Sequence, residues 1–92
     1  MNKQIWKYVL STPPITIEIP KDSKILTVQE QFGEICLWVL VNPTAPKEKR
    51  TFEVYGTGHA ITYDMGIDRN YISTVQLIGA QLVLHVFEYT GI

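Results

Sequence analysis

The sequence predicts an all-β domain, a compact antiparallel β-sandwich or barrel of about seven short strands. Apolar and polar residues alternate with a period of two in several short runs, and Gly, Pro, Asn and Asp interrupt these runs about every 8–12 residues. No window of the sequence combines a 3.6-residue period with helix caps, so no substantial helix is expected. With 92 residues, the chain is predicted to form a single domain, residues 1–92.

The first two predicted strands are separated by a proline pair. Lys3–Leu10 alternates aromatic and branched residues with polar ones, as is typical of a half-buried strand. Pro13 and Pro14 end this strand, because proline cannot donate to a ladder of hydrogen bonds. Ile15–Ile19 follows with the clearest alternation in the chain, and its three isoleucines are expected to face the core.

The third predicted strand is Lys24–Phe32. Alternation would place Ile25 and Thr27 on one face of the sheet, and the other face would carry Leu26, Val28 and Phe32. A turn at Gly33 is expected to connect this strand to the fourth.

The fourth predicted strand, Ile35–Val41, is apolar on both faces. In an antiparallel protein such a strand is expected at the centre of a sheet, or with its second face covered by another copy of the chain. An exposed, proline-containing loop is expected at positions 42–49.

The second half of the chain predicts three more strands. Arg50–Tyr55 is the fifth, Ala60–Asn70 is a loop, and Tyr71–Ile78 and Gln81–Tyr89 form a final hairpin around a Gly-Ala turn. Large aromatic side chains dominate burial in small β domains. The four predicted core anchors are Trp6, Trp38, Phe52 and Phe87.

Composition limits the possible partners. Eight basic and nine acidic residues give a net charge of −1, which does not favour double-stranded nucleic acid. Cys36 has no second cysteine to pair with, and its apolar neighbours predict a buried thiol. No signal-peptide hydrophobic region and no apolar run of about 18 residues is present, so a soluble, intracellular protein without a membrane partner is expected.

The segment Gly56-Thr57-Gly58-His59 is the candidate ligand-binding site, because glycine, hydroxyl and imidazole occur together there. Its backbone N–H groups could form a concave nest for an anionic or hydrogen-bonding ligand. The alternative is a tight turn that needs positive φ, with an exposed histidine. The spacing matches neither a phosphate-binding P-loop nor a dinucleotide fingerprint.

Basic residues give a second reason to consider this region. Arg50 and Arg69, with Lys47 and Lys49, would form a basic rim if the loop at 42–50 folded beside the glycine turn. The alternative is that these charges only keep a surface loop solvated.

No catalytic or metal-binding pattern is found. His59, Asp64, Asp68 and His85 lack the ligand spacing of a zinc site, and no serine or cysteine lies in a recognisable nucleophile setting. The sequence therefore predicts a non-enzymatic protein without a metal or cofactor.

Self-association, most simply as a dimer, is expected from the apolar strands. After Asn70 the only charged side chain is Glu88, so the last hairpin would be buried or shared with a partner. The candidate interface residues are His85, Phe87 and Tyr89.

Several motifs together resemble a family of small proteins of unknown function, encoded mainly by bacteriophages and prophages. The motifs are Ile5-Trp6-Lys7-Tyr8, Ile25-Leu26-Thr27-Val28-Gln29, Cys36-Leu37-Trp38, Tyr55-Gly56-Thr57-Gly58-His59, Val75-Gln76-Leu77 and Leu84-His85-Val86-Phe87-Glu88. The resemblance covers nearly the whole chain and carries no assigned functional residue. It implies a phage accessory protein in the cytoplasm of an infected bacterium.

Small phage accessory proteins often block or sequester host factors. The leading functional hypothesis is therefore a binding protein that counteracts host defence by sequestering a small nucleotide signal. The alternatives are a protein-interaction module that inhibits a host protein, and a minor structural or assembly component of the virion.

Overall fold

The computed structural model describes residues 2–11, 14–61, 68–79 and 81–91, which contain seven β-strands and no helix. The strands are β1 (Gln4–Val9), β2 (Ile15–Pro20), β3 (Lys24–Gln31), β4 (Glu34–Val41), β5 (Lys47–Gly56), β6 (Arg69–Leu77) and β7 (Leu82–Tyr89). The predicted all-β class and the order of the strands are confirmed. In the described part of the chain there is also no helix long and apolar enough to cross a membrane.

The strands form two antiparallel sheets that pack face to face. One sheet has three strands in the order β1-β4-β3, and the other has four in the order β2-β5-β7-β6. Within the described ranges the sheets stay separate, so the fold is the sandwich of the two predicted architectures and not a closed barrel.

The core lies between the two sheets and is built from the inward side chains of both. The fully buried aliphatic and aromatic members are Ile19, Val28, Leu37, Val39, Val41, Phe52 and Val86. Burying one such side chain contributes about 1.5–3 kcal/mol, so this layer is the main source of stability. Ile15 and Ile17 pack against it from β2, as the alternation of that strand predicts.

Strand β4 is central in its sheet and uses both of its faces. Leu37 and Val39 point into the core, whereas Cys36, Trp38 and Leu40 point outward. The prediction of a central strand is confirmed, because β1 and β3 take up the hydrogen bonds on its two sides.

The thiol of Cys36 is buried although it lies on the outer face of the three-stranded sheet. Cys36 as a whole is only 1% exposed. Lys7 on β1 donates from Nζ to Gln31 Oε1 on β3 at 2.8 Å, so its side chain crosses β4 at the level of Cys36. The predicted buried thiol is confirmed, and a lysine side chain contributes to its cover.

A β-bulge changes which residues of β3 face the core. The pairing of β3 with β4 shifts between Ile25 and Thr27, so Leu26 has no partner in the ladder. Ile25 and Val28 consequently both point into the core, and Thr27 lies outside beside Trp38. The predicted assignment of Ile25 with Thr27 on one face is wrong, because the extra residue inverts the alternation.

A second bulge interrupts β6 between Tyr71 and Ser73. Strands β3 and β6 are edge strands of different sheets, and they pack against each other along one side of the sandwich. Leu26 and Ile72, the extra residues of the two bulges, line the same hollow at this side. The two irregular strands therefore meet where the sheets come together.

Two hairpin turns at one end of the sandwich place large apolar residues in left-handed conformations. Phe32 and Gly33 connect β3 to β4 with φ of 53° and 81°, the pattern of a type I′ turn. Ile78 and Gly79 follow β6 with φ of 52° and 60°. Phe32 was predicted within the strand, but the strand ends at Gln31 because the turn takes the next two residues.

Two predicted strand starts need correction. β5 begins at Lys47 instead of Arg50, because Lys47–Lys49 pair with the Glu18–Pro20 end of β2. β6 begins at Arg69, which pairs with Tyr89. The rest of the predicted loop at 60–70 falls mostly on residues 62–67, outside the described residues.

The four predicted aromatic anchors divide into two pairs. Phe52 and Phe87 are buried, as predicted. Trp6 and Trp38 are only half-buried, which corrects their assignment as core anchors. Trp6 packs against the edge of the core, and Trp38 lies on the outer face of the three-stranded sheet because of its position in β4.

Candidate functional site

The outer face of the four-stranded sheet collects most of the polar and aromatic side chains that could recognise a ligand. We call it the tyrosine–histidine face, and it is formed by alternate residues of β5, β6 and β7 and by the turn after β5. Its members are Glu53, Tyr55, Thr57, Arg69, Tyr71, Thr74, His85, Phe87 and Tyr89. The opposite face of the same strands carries Phe52 and Val86 into the core, which fixes the direction of these side chains.

A chain of hydrogen bonds runs across this face. Thr57 Oγ1 lies 2.7 Å from His85 Nε2, and His85 Nδ1 lies 2.9 Å from Thr74 Oγ1. Thr74 Oγ1 is in turn 2.6 Å from the hydroxyl of Tyr71. A neutral imidazole has one donor and one acceptor nitrogen, so one threonine donates to the ring and the other accepts from it. The chain holds the imidazole in a single orientation.

Aromatic rings pack edge to face beside this chain. The ring of Phe87 lies 5.9 Å from that of Tyr55 and 5.5 Å from that of Tyr71, with interplanar angles of 69° and 66°. The two tyrosines cover Phe87, whereas Tyr71 itself is 59% exposed. Tyr71 is therefore a fixed ring that presents much of its surface to solvent.

Arg69 organises the other end of the face. Its Nε donates to Glu53 Oε1 at 2.5 Å, and its guanidinium lies 5.7 Å from the ring centre of Tyr55 and 5.3 Å from that of Tyr89. The hydrogen bond to Glu53 raises the pKa of Arg69, against the opposing effect of its burial. The charge is thus permanent and compensated within the protein, and it holds two tyrosine rings in place.

The predicted glycine segment forms a tight turn at the end of β5. Gly58 has a φ of 86°, and the N–H of His59 donates to the carbonyl of Gly56 at 3.0 Å. The N–H of Gly56 donates to His59 Nδ1 at 3.3 Å, and that of Thr57 to the carbonyl of Val83 at 3.4 Å. These three N–H groups are engaged within the protein, which favours the turn over an anion-binding nest. Thr57 still joins the site through its hydroxyl.

Arg50 lies far from this turn. It points from β5 into the sandwich, and its Nε and Nη2 donate to the two carboxylate oxygens of Glu88. Lys47 and Lys49 lie at the start of β5, at the opposite end of the strand from Gly56. The structure therefore brings Arg69 to the tyrosine–histidine face but does not assemble the predicted basic rim there.

The three candidate interface residues all lie on this face. His85 and Tyr89 are half-buried, and Phe87 is buried by rings of its own chain. An interface through these residues stays a prediction. Because rings of the same chain already bury Phe87, this side chain does not need a partner to cover it.

Metal-ligating residues do not gather in the part of the chain that the structure describes: no group of three or more His, Cys, Asp or Glu is placed to hold an ion. His59 and His85 each bond to groups of the polypeptide. Asp68 accepts the N–H groups of Thr90 and Gly91 through its carbonyl, and Asp64 lies outside the described residues.

Sequence reasoning missed four members of the face: Glu53, Tyr55, Tyr71 and Thr74. The first two were detectable, since they alternate with buried Phe52 on β5. Tyr71 and Thr74 are three positions apart, and simple alternation places them on opposite faces. The bulge after Tyr71 brings them to one face, and no signal in the sequence marks it.

The fold and the face together define a small antiparallel β-sandwich with an aromatic, hydrogen-bonding outer surface. The chain belongs to the family described as a domain of unknown function (DUF7352), whose model matches residues 1–91. No curated protein and no solved structure is significantly similar to it. Membership of a family of unknown function that spans nearly the whole chain is thereby confirmed, and the phage origin stays a prediction.

Proposed function

We propose that this protein is a non-enzymatic binding protein whose tyrosine–histidine face binds a nucleotide through its base. The exposed ring of Tyr71 carries this proposal. It is held edge to face by Phe87 and hydrogen-bonded to Thr74, so it offers a preorganised surface for stacking. Stacking of one base on an aromatic side chain contributes about 1–3 kcal/mol.

The polar groups beside Tyr71 suit the edge of a base or a ribose. Thr57, Thr74 and His85 provide hydroxyl and imidazole groups that can donate or accept. The charge of Arg69 is compensated by Glu53, so the face supplies little attraction for phosphate. We expect an affinity that depends on the base and depends only weakly on salt concentration.

The absence of catalysis is part of the proposal. A hydroxyl bonded to an imidazole, as in Thr57 and His85, is the first half of an activated nucleophile. The second nitrogen of His85 faces the neutral hydroxyl of Thr74, which cannot stabilise an imidazolium ion as a carboxylate does. The arrangement supports ligand recognition better than nucleophilic attack.

The resemblance of the sequence to phage-encoded proteins supports a biological setting for this binding. In that setting the protein acts in the cytoplasm of an infected bacterium and sequesters a small nucleotide signal of the host defence. A structural role in the virion is the alternative, and mass spectrometry of purified particles distinguishes the two.

The test is isothermal titration calorimetry against cyclic nucleotides and ADP-ribose-type compounds. We expect binding by the wild-type protein, at least about tenfold weaker binding by Tyr71→Ala, and intermediate binding by Tyr71→Phe. Phe32→Asn, which alters an exposed aromatic residue elsewhere on the molecule, is the matched control and should bind normally. Equal binding by Tyr71→Ala, or no heat with any compound of the panel, would refute the proposal.

A second surface supports self-association. The outer face of the three-stranded sheet exposes Ile5 and Val9 beside the half-buried Trp38 and Leu40. We propose that a second copy of the chain covers this face in a two-fold dimer.

Charge placement favours a second copy as the occupant. Glu34 lies at one end of β4, and Lys24 lies beside Leu40 at the other end. A two-fold axis near the middle of the strand places Glu34 of one copy opposite Lys24 of the other, so the contact is complementary to itself.

A further inference from the structure

The end of the sandwich that carries the two left-handed turns has an open cavity. Its volume is about 450 Å³, within the range of ligand-binding pockets. Leu10, Ile35, Val54, Leu77 and Leu84 line it with apolar side chains that continue into the core. Among the residues that the structure describes, Glu34 is the one charged residue in its lining.

The two turns extend this apolar surface into solvent. Phe32, next to the lining residue Gly33, is 94% exposed, and Ile78, next to the lining residue Leu77, is 71% exposed. Both have positive φ, a conformation that disfavours side chains with a Cβ and above all β-branched ones such as isoleucine. Type I′ turns are normally built from Asn, Asp or Gly.

These two side chains therefore do not serve the stability of the free protein. They bury little surface within the chain, and they occupy a backbone conformation that suits other residues better. Conformational strain together with an exposed apolar side chain is characteristic of a binding surface.

We propose that this end of the molecule docks a partner polypeptide, which inserts a bulky apolar side chain into the cavity and places a lysine or arginine against Glu34. We call the surface formed by the cavity and the adjoining residues Phe32 and Ile78 the apolar tip. Phe32 and Ile78, which adjoin the lining residues Gly33 and Leu77, contact the docked segment. The inference is independent of nucleotide binding, because the tip shares no residue with the tyrosine–histidine face.

The geometry favours a polypeptide over a small apolar molecule. A compound enclosed in the cavity would leave Phe32 and Ile78 in contact with water, since both are exposed and neither lines the cavity. A peptide can fill the cavity with one side chain and cover the two exposed residues with its neighbours.

The charge at the tip disfavours two other occupants. Glu34 lines the cavity, and the carboxylate of Glu30 accepts the N–H of Gly33 at the base of the turn. An anionic membrane surface would repel both carboxylates. A second copy docked tip to tip would bring like charges together. Lys7 of the same sheet donates from Nζ to Gln31 Oε1.

The test begins with selection from a displayed library of nine-residue peptides, using the intact protein as bait. We expect enrichment of peptides that carry a bulky apolar residue next to Lys or Arg. A selected peptide, synthesised and titrated, should shift the NMR signals of Ile35, Leu77 and Leu84. Its affinity should fall about tenfold or more for Phe32→Asn/Ile78→Asn and several-fold for Glu34→Gln.

Stability measurements keep this test interpretable. The Phe32→Asn/Ile78→Asn variant is expected to melt at the wild-type temperature or a few degrees above it, because asparagine suits positive φ better. Loss of peptide binding then cannot be attributed to unfolding. Tyr71→Ala is the matched control and should bind the peptide normally.

Four results would overturn the proposal. The first is a peptide consensus without the apolar–basic pair, or no enrichment over the double variant. The second is equal affinity of wild type and double variant. Binding to phosphatidylcholine vesicles that depends on Phe32 and Ile78 would indicate a lipid surface instead. Loss of a dimer in the double variant would indicate a second copy.

Discussion

Arg50 and Glu88 form a bidentate ion pair on the core side of the four-stranded sheet. Nε and Nη2 of the guanidinium donate to the two carboxylate oxygens at 2.5 and 2.7 Å, and Nη1 donates to the carbonyl of Ser23 at 2.7 Å. The hydrogen bond to Glu88 raises the pKa of Arg50. This one side chain thereby ties β5 to β7 and to the segment that leads into β3.

The first prediction concerns this pair. Arg50→Met leaves the Glu88 carboxylate without its partner in a mostly buried position, and we expect it to lower the free energy of unfolding by about 2–3 kcal/mol. Urea denaturation at neutral pH measures the change. The double variant Arg50→Met/Glu88→Leu should recover most of the loss, because it removes both charges. A double variant no more stable than Arg50→Met would contradict this interpretation.

The second prediction concerns Tyr8, whose hydroxyl is buried without a hydrogen-bond partner among the described residues. Burial raises its pKa above the usual value of 10.0. Tyr8→Phe removes an unsatisfied polar group, so we expect an unfolding free energy equal to wild type or higher by about 1 kcal/mol at pH 7.

The same substitution has a pH-dependent effect. Below pH 10 both states keep the proton of Tyr8, and above it the unfolded chain releases the proton first. The unfolded state then binds fewer protons, and stability falls as the pH rises. The advantage of Tyr8→Phe over wild type should therefore grow between about pH 9 and 11. Tyr71→Phe is the control, and it should lose stability at pH 7 because its hydroxyl is bonded to Thr74.

The third prediction separates two glycines of the turn after β5. A Cβ on Gly56 would lie 2.7 Å from Cε1 of His59, at the end of a movable side chain. Gly56→Ala should therefore displace the imidazole at a cost below about 1 kcal/mol, and Gly56→Ala/His59→Ala should remove that cost. Gly58 meets nothing within 4 Å but has a φ of 86°, so Gly58→Ala should cost about 1–2 kcal/mol. A larger loss of stability for Gly56→Ala than for Gly58→Ala would contradict this account of the turn.

The fourth prediction concerns the outer face of the three-stranded sheet. Light scattering at micromolar concentration should give about twice the chain mass of 10.5 kDa. Leu40→Lys places a charge in the proposed contact and should yield the monomer. Thr16→Lys, on the outer face of β2, is the control and should leave the mass unchanged. A monomeric wild-type protein would refute the dimer.

Much of the fold was predictable because its strands alternate. Ile15–Ile19 faces the core with its isoleucines, and Ile35–Val41 is central because it is apolar on both sides. Alternation fails at Leu26 and Ile72, since a bulge arises from pairing with a distant strand and not from local sequence. Lys47–Lys49 are part of β5 because they pair with β2, and their local sequence alone predicts a loop.

The candidate site was less predictable for a related reason. Thr57 and Arg69 were predicted as ligand-binding residues and His85 as an interface residue, and the structure brings all three to one face. Arg50 has the same chemistry as Arg69 but lies on the opposite face of the sheet, where it pairs with Glu88. Alternation places Arg50 on the same face of β5 as Phe52, so its side of the strand was predictable, whereas its partner Glu88, 38 positions away, is not visible in local sequence.

The two bulges also bear on edge-to-edge aggregation of the sheets. A net charge of −1 gives copies little mutual repulsion, and 46% of the residues are apolar. Regular edge strands in such a chain would be templates for fibril growth. Leu26 and Ile72 distort the edges of β3 and β6, and the two edges face each other. Two of the four edge strands that the structure describes are thus distorted, and we expect deletion of Leu26 or Ile72 to straighten an edge and promote fibrils without changing the net charge.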